Sequence, residues 1–276
     1  MTTPAGLRWS NSSLQCLQQC GERYRRRYIE RDFVPRSPRQ VRGTVVHKVA
    51  SIAYLQKYAL RTLPSVEQTR DTAADAFEAE WRSGVLLSAE EAEIGAARVE
   101  ADSKDFAVDL AGFHVEAVAP AITPVGVERK IIVKPKDSDL EINGVIDLID
   151  ATPAGEVIRD LKTAEKSPVK SAAEDSMQLS FYAMIRQAEV GHLPKELALD
   201  YLVRTPSKHE RKHVPLVTTR GPEDVASLVH RINVAVEAVK KGIFVPASPD
   251  AWYCSRAYCE YFESCPYVRR STRPQN

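Results

Sequence analysis

Residues 155–166 read "GEVIRDLKTAEK", a β-branched run interrupted by an acid and a lysine two apart, Asp160 and Lys162. Side chains alternate faces along a strand, so Ile158, Asp160 and Lys162 project on one side and the acid and the lysine are neighbours in space. Aliphatic residues are the usual occupants of a buried strand. The pair therefore reads either as an ion pair at a strand end or as half of an active site.

Two further runs precede it. "VGVERKIIVKP", "LEINGVIDLIDAT" and "EVIRDLKT" are β-branched and separated by "KDSD" and "TPAG", turn-forming stretches that predict three consecutive antiparallel strands. In the middle strand Val145, Asp147 and Ile149 are expected to share one face, Gly144 permits close backbone approach, and the hairpin brings Asp147 across from the Asp160 region. Two carboxylates at about 4–6 Å stay ionised together only with a cation or lysine between them. Magnesium or manganese suits such a place, because hard divalent ions take carboxylate oxygens, a backbone carbonyl and several waters.

Helical spacing surrounds this centre. "SNSSLQCLQQC" predicts a short helix broken near Gly21, and "VPRSPRQ" a loop. "GTVVHKVASIAYLQKYAL" predicts a helix with Gly43 near its start and His47 in its first turns. Ala74, Phe77 and Trp81 mark a helix from Val66 to Gly84, and Ala89 to Leu110 another; together, residues 66–112 read as a helical insertion or lid. "SAAEDSMQLSFYAMIRQAEV" carries a stripe of Met177, Phe181, Met184 and Ile185, and the strand "ELALDYLVRT" follows it. "PEDVASLVHRINVAVEAVKKG" buries Val225, Leu228, Ile232 and Val239 and stops at Gly242. The tail "ASPDAWYCSRAYCEYFESCPY" is loop-like.

Among the 276 residues, 43% are hydrophobic and 27% charged, which sets disorder aside and allows one large domain or two small ones. No apolar run approaches the roughly 20 residues that span a bilayer, and the start lacks a signal-peptide pattern, so a cytoplasmic protein is expected. The net charge of +1 points to no particular partner. Arg23, Arg25, Arg26, Arg27 and Arg31 nevertheless crowd together, interleaved with Tyr24 and Tyr28, which reads either as a phosphate- and base-contacting cluster or as a solvated helix face. Five cysteines fall in two groups, Cys16 and Cys20, then Cys254, Cys259 and Cys265. In a reducing compartment that spacing points to a metal or cluster rather than to disulfides.

The ordered set "GTVVH", "GVIDLID", "VIRDLKT" and "QLSFY" resembles the RecB-type branch of the PD-(D/E)xK nuclease superfamily, whose motifs run Gly-x-x-x-His, Gly-x-x-Asp, Asp-x-Lys and Gln-x-x-x-Tyr. The resemblance implies a single α/β domain over residues 1–276 with a restriction-endonuclease-like core, a central mixed sheet flanked by helices. It implies a Mg or Mn site built from His47, Asp147, Asp160 and the backbone carbonyl of Leu161. Lys162 is the implied catalytic residue, and Gln178 and Tyr182, one helical turn apart, hold the lysine and the nucleic acid backbone. Glu128, in "VGVERK", matches an acidic position often present in the family.

The cysteines resemble the iron–sulfur members of that family, including CRISPR-associated exonucleases and the AddB subunit, which place one cysteine before the nuclease core and three after it. "CGERYRRRY" selects Cys20, and residues 250–267 supply Cys254, Cys259 and Cys265. A [4Fe-4S] cluster stapling the two regions is implied, although four thiolates also suit tetrahedral zinc and Cys16 is an alternative ligand. The spacing departs from the family, with four residues between Cys254 and Cys259 and Gly21 in place of a proline.

The implied activity is a DNA exonuclease acting on single strands or free ends in recombination, repair or processing, in a bacterium or encoded by a virus. Arg23, Tyr24, Arg26 and Arg27 are the expected nucleic-acid contacts, and a homo-oligomer or a recombination or CRISPR partner protein is compatible with the resemblance. The competing expectation is a non-catalytic DNA-binding or assembly subunit that keeps fold and cluster.

Overall fold

The computed structural model describes residues 8–135, 140–206, 208 and 210–268. The centre is the hairpin of β3 (Glu141–Thr152) and β4 (Gly155–Ala164), flanked by β2 (Pro124–Val133) antiparallel to β3. The three-stranded meander matches the expected pattern; the "KDSD" turn lies outside the described residues. β5 (Glu196–Arg204) runs parallel to β4 and β6 (Arg211–Thr218) antiparallel to β5, while the two-residue β1 (Arg8–Trp9) pairs parallel with the start of β3. A parallel pair needs a crossover, and α7 (Met177–Val190) supplies it between β4 and β5.

Helices cover both faces. On one, α1 (Asn11–Gln19), α2 (Gly21–Tyr24), α7 and α8 (Pro222–Lys240) share a core with the sheet through Leu14, Phe181, Leu228 and Ile232 against Ile146, Ile149 and Ile158. On the other, α3 (Pro38–Leu60), α4 (Val66–Arg82) and α6 (Ala96–Phe113) pack Val45, Phe77, Phe106 and Leu110 with Leu148, Leu161 and Leu202. The fold is thus α/β, a mixed sheet between helical layers. The stretch expected as an insertion or lid is part of that second layer, its apolar residues continuous with those beneath the sheet.

Several boundaries differ from expectation for local reasons. α3 begins at Pro38, where Ser37 and Gln40 form a reciprocal cap, so Gly43 and His47 lie deeper in the helix than expected. The helix predicted from Ala89 to Leu110 is broken at Gly95, whose φ of 98° separates α5 (Ala89–Ile94) from α6. No helix among the described residues is long and apolar enough to cross a membrane.

The segments on either side of the central sheet meet. Gly21 N donates to Val245 O at 2.7 Å, Ala247 N to Cys20 Sγ at 3.3 Å, and Tyr261 Oη to Asp32 O. Arg23 and Arg27 both reach Glu260, at 2.7 and 3.5 Å, and Arg26 lies over the Tyr261 ring.

Candidate active site

The β3–β4 ladder ends at Leu148↔Arg159. The next register position pairs Asp147 with Asp160, and there the strands part: the Leu161 N–H donates at 3.3 Å to Asp147 Oδ2. Ile146 and Ile149 lie in the same core, three residues apart, so the alternation of β3 is broken between them. Asp147 is thereby turned toward α3, where His47 Nδ1 lies 3.1 Å from its Oδ2. The expected common face of Val145, Asp147 and Ile149 is corrected by this irregularity.

Asp160 points the other way, toward α7, and is 1% exposed. Lys162 Nζ sits 2.5 Å from Asp160 Oδ2 and donates at 2.8 Å to Gln178 Oε1. Gln178 Nε2 donates to Asp160 Oδ1 at 2.7 Å and to Tyr182 Oη at 2.8 Å, and Tyr182 Oη donates to Asp160 Oδ1 at 3.1 Å. One amide side chain therefore joins lysine, carboxylate and tyrosine. Its reach follows from α7 geometry, since positions four apart share a helical face, and α7 starts at the Ser176 cap immediately before it.

Burial raises the Asp160 pKa, with Lys162 opposing and Asp147 adding to the shift. Burial lowers that of His47, but the hydrogen bond and charge of Asp147 outweigh it and the net direction is up. Glu128 completes the group. It lies across from Asp147, between the pairs Val127↔Leu148 and Arg129↔Ile146, and has a left-handed φ of 47°. Such a conformation costs about 1–3 kcal/mol outside glycine. Burial raises its pKa, with Asp147 adding and His47 opposing. Glu128, Asp147, His47 and Leu161 line one cavity.

Glycines of the two flanking motifs differ. A Cβ at Gly144 meets Ile185 Cδ1 at 2.6 Å and Phe181 Cε1 at 3.2 Å, so any side chain there makes the buried face of α7 give way. At Gly43 the nearest atom is Thr163 Oγ1 at 3.6 Å, an ordinary contact.

A model of the PD-(D/E)XK nuclease superfamily matches residues 8–266. The chain belongs to the PD-(D/E)XK nuclease superfamily. No protein of curated function matches it significantly. The crystal structure of SSO0001 is similar over 66% of this chain and 78% of that one, with 18% sequence identity and a TM-score of 0.37. Superfamily membership implies a hydrolase acting on nucleic acid, typically with a divalent metal.

The oxygen-rich donors suit Mg or Mn, and the buried Asp160 Oδ2 is met by the Lys162 ammonium alone. This is the kind of acceptor a superfamily metal takes. As they stand, no three His, Cys, Asp or Glu side chains among the described residues are gathered to hold an ion. That holds for the cysteines too, so no cysteine staple is shown. Cys16 is buried, its pKa pushed up to about 11 by burial. Burial also raises the Cys254 pKa, with Cys20 and Cys265 adding, and that of Cys259, with Cys20 among the smaller contributors, so these thiols lie within electrostatic reach of one another.

The expected nucleic-acid cluster is corrected at Tyr24, which is 2% exposed and stacked between Trp9, Tyr28 and Phe244. A ring closed in on both sides has no face for a base. Arg23, Arg26 and Arg27 are paired with Glu260, Asp32 and Glu260, so their charge is largely answered within the protein.

Sequence reading missed a second polar chain beneath the candidate site. Arg159 Nε donates to Asp150 at 2.8 Å and its Nη1 to Asp200 at 3.2 Å, and His213 Nε2 lies 2.7 Å from Asp200. Arg159 and Asp200 line the same cavity as Glu128 and Asp147. Asp200, inside the otherwise apolar run "LALDYLV", was the available signal.

Proposed function

We propose that this chain is a Mg- or Mn-dependent deoxyribonuclease of the RecB type, an exonuclease preferring single strands or frayed ends. The observation that carries the reading is the parting of β3 and β4 between Asp147 and Asp160, with Lys162 held beside them by Gln178. A strand-end ion pair does not explain a lysine shared between a buried carboxylate and an amide that itself binds the same carboxylate. His47, Asp147, Asp160, the Leu161 carbonyl and Glu128 are the residues that would hold the metal, which supplies charge neutralisation and acidifies water.

The chain's own residues do the rest. Lys162, anchored by Gln178 and one-third exposed, directs its ammonium at the scissile phosphate. There it orients the attacking water and stabilises the pentacovalent transition state. Tyr182 fixes the Asp160 carboxylate from its other side, and α7 presents the pair to the nucleic acid backbone. Water attacks phosphorus, the P–O bond to the leaving sugar oxygen breaks, and a proton passes to that oxygen.

A [4Fe-4S] cluster on Cys20, Cys254, Cys259 and Cys265 belongs to the same reading. It is supported by the order of the cysteines and by the meeting of residues 20–33 with residues 245–264; zinc is the other candidate. Anaerobically purified protein is expected to be brown, and Cys20→Ser to bleach and destabilise it. Colourless protein with one zinc per chain overturns the cluster.

The test of activity is cleavage of end-labelled single-stranded DNA with Mn, wild type beside Lys162→Ala. Cleavage by wild type alone supports the enzyme, and label at either end gives the polarity. DNA binding without cleavage by either protein sinks it in favour of a non-catalytic subunit.

A further inference from the structure

Arg220 lies just before α8, outside the motifs in sequence, and is 8% exposed. Its guanidinium donates to six oxygens, none of them a carboxylate. Nε reaches Ser180 Oγ at 2.7 Å; Nη1 reaches Thr218 Oγ1 at 3.0 Å and Thr219 O at 2.9 Å. Nη2 reaches the carbonyls of Ala173, Glu174 and Ser176 at 2.8, 3.0 and 3.1 Å. A buried charge is tolerated when its donors are all answered, and here neutral acceptors alone answer them.

Four of those acceptors belong to the turn that enters α7 and to the first turn of α7 itself. Gln178 sits between Ser176 and Ser180, two residues from each. A cation at a helix N-terminus opposes the helix dipole, so helix stability gives no reason for arginine here. What arginine alone provides is a planar fork that holds backbone and side-chain acceptors at fixed angles. It ties the start of α7 to the end of β6 and α8, on the side away from β4.

The geometry points to Arg220 as a positioning residue for the lysine of the site. The clamp fixes the α7 entry turn, the turn fixes the Gln178 amide, and the amide, bonded to Lys162 Nζ and to Asp160 Oδ1 alike, fixes the ion pair of lysine and carboxylate in one place. Without the clamp the entry turn shifts, Gln178 loses its grip, and the Lys162 ammonium keeps only its Asp160 contact and no longer has a fixed direction toward the phosphate. This rests on the nuclease reading. Arg220 touches neither nucleic acid nor the reacting atoms in it.

The experiment is a cycle of Arg220→Ala, Gln178→Ala and the double variant, measured for kcat and KM on single-stranded DNA with Mn, with hydrogen exchange on the same proteins. Loss of a residue supporting a catalytic group commonly costs about 10- to 100-fold in activity. Each single variant is expected to lose that much in kcat with little change in KM, and the double variant to be no worse than Gln178→Ala. Losses that multiply, or that fall in KM, overturn the inference. Exchange at residues 173–180 is expected to quicken in Arg220→Ala while β4 and β5 stay protected; unchanged exchange there removes the clamp whatever the chain does to DNA. Should Arg220→Ala not fold, Arg220→Lys and Ser180→Ala, which keep part of the fork's contacts, carry the same comparison with a smaller loss. A wild-type chain that cuts no DNA removes the nuclease reading, and the catalytic half of this inference with it, as a result separate from the exchange data.

Discussion

Gly21→Ala is expected to loosen the junction between residues 20–33 and residues 243–265. A Cβ at Gly21 falls 2.5 Å from the Phe244 carbonyl carbon, 2.5 Å from Val245 N and 2.6 Å from Phe244 Cα. These are backbone atoms with no rotamer to give way, and ordinary contact requires a retreat of about 1 Å. The same stretch accepts the Gly21 hydrogen bond at 2.7 Å, and Phe244 stacks on Tyr24 with centroids 6.2 Å apart. Overpacking of this kind costs about 1–3 kcal/mol and a lost hydrogen bond about 1 kcal/mol more, together about 2–4 kcal/mol. Urea unfolding of wild type and variant at equal ionic strength gives the difference. Gly84→Ala separates strain from packing: unlike Gly21 its backbone is left-handed, at φ 102°, and nothing lies within 4 Å, so it adds conformational strain without a clash. Gly21→Ala unfolding within 0.5 kcal/mol of wild type would refute the packing account.

Gly144→Ala drives its Cβ into Ile185 Cδ1 and is expected to cost about 1–3 kcal/mol; Ile185→Val removes that atom and should recover part of the loss, as thermal unfolding of the pair reads directly. His114, 1% exposed and bonded through Nε2 to Tyr54 Oη at 2.9 Å, has its pKa pushed down to about 4 by burial. Between the ordinary value near 6.5 and that value the unfolded chain binds a proton that the folded chain refuses. Stability therefore falls as pH drops through this window, by up to about 3 kcal/mol, and His114→Gln should flatten that part of the urea-midpoint profile. Arg159→Met takes the guanidinium from Asp150 and Asp200, both buried and left with Thr123 N and His213 as partners, and is expected to destabilise by about 3–5 kcal/mol; a smaller loss in an Asp200→Asn background is the check.

The meander, α7 and α8 were legible because β-branched runs with turn residues, and stripes at helical spacing, depend on near neighbours. β6 was not. Pro215 and the charged residues of "RKHVPLVT" argue against a strand, yet Pro215 sits opposite Asp200 on an outer strand, where a missing N–H costs little. Motif order brought His47, Asp147, Asp160, Lys162, Gln178 and Tyr182 together in sequence terms, and all six meet in space. Strict alternation failed at Asp147 because the irregularity opposite Glu128 reorients it, a property of two strands rather than of one. Tyr24 was misread for a similar reason: its stacking partner Phe244 and the Glu260 that answers its arginine neighbours come more than 200 residues later.

That separation also orders the chain's biosynthesis. Residues 20–33 leave the ribosome long before residues 243–265 exist, and their hydrogen bonds span 224 to 238 residues. Closing so long a loop is costly only logarithmically, but it cannot start early. A nascent chain can therefore assemble the Asp147–Lys162 hairpin before Phe244 exists to cover Tyr24, leaving that ring open to solvent and to chaperones. Translation arrested before Cys254 should leave a protein with a formed sheet and an unmoored amino-terminal segment, one that proteases cut first near the arginines.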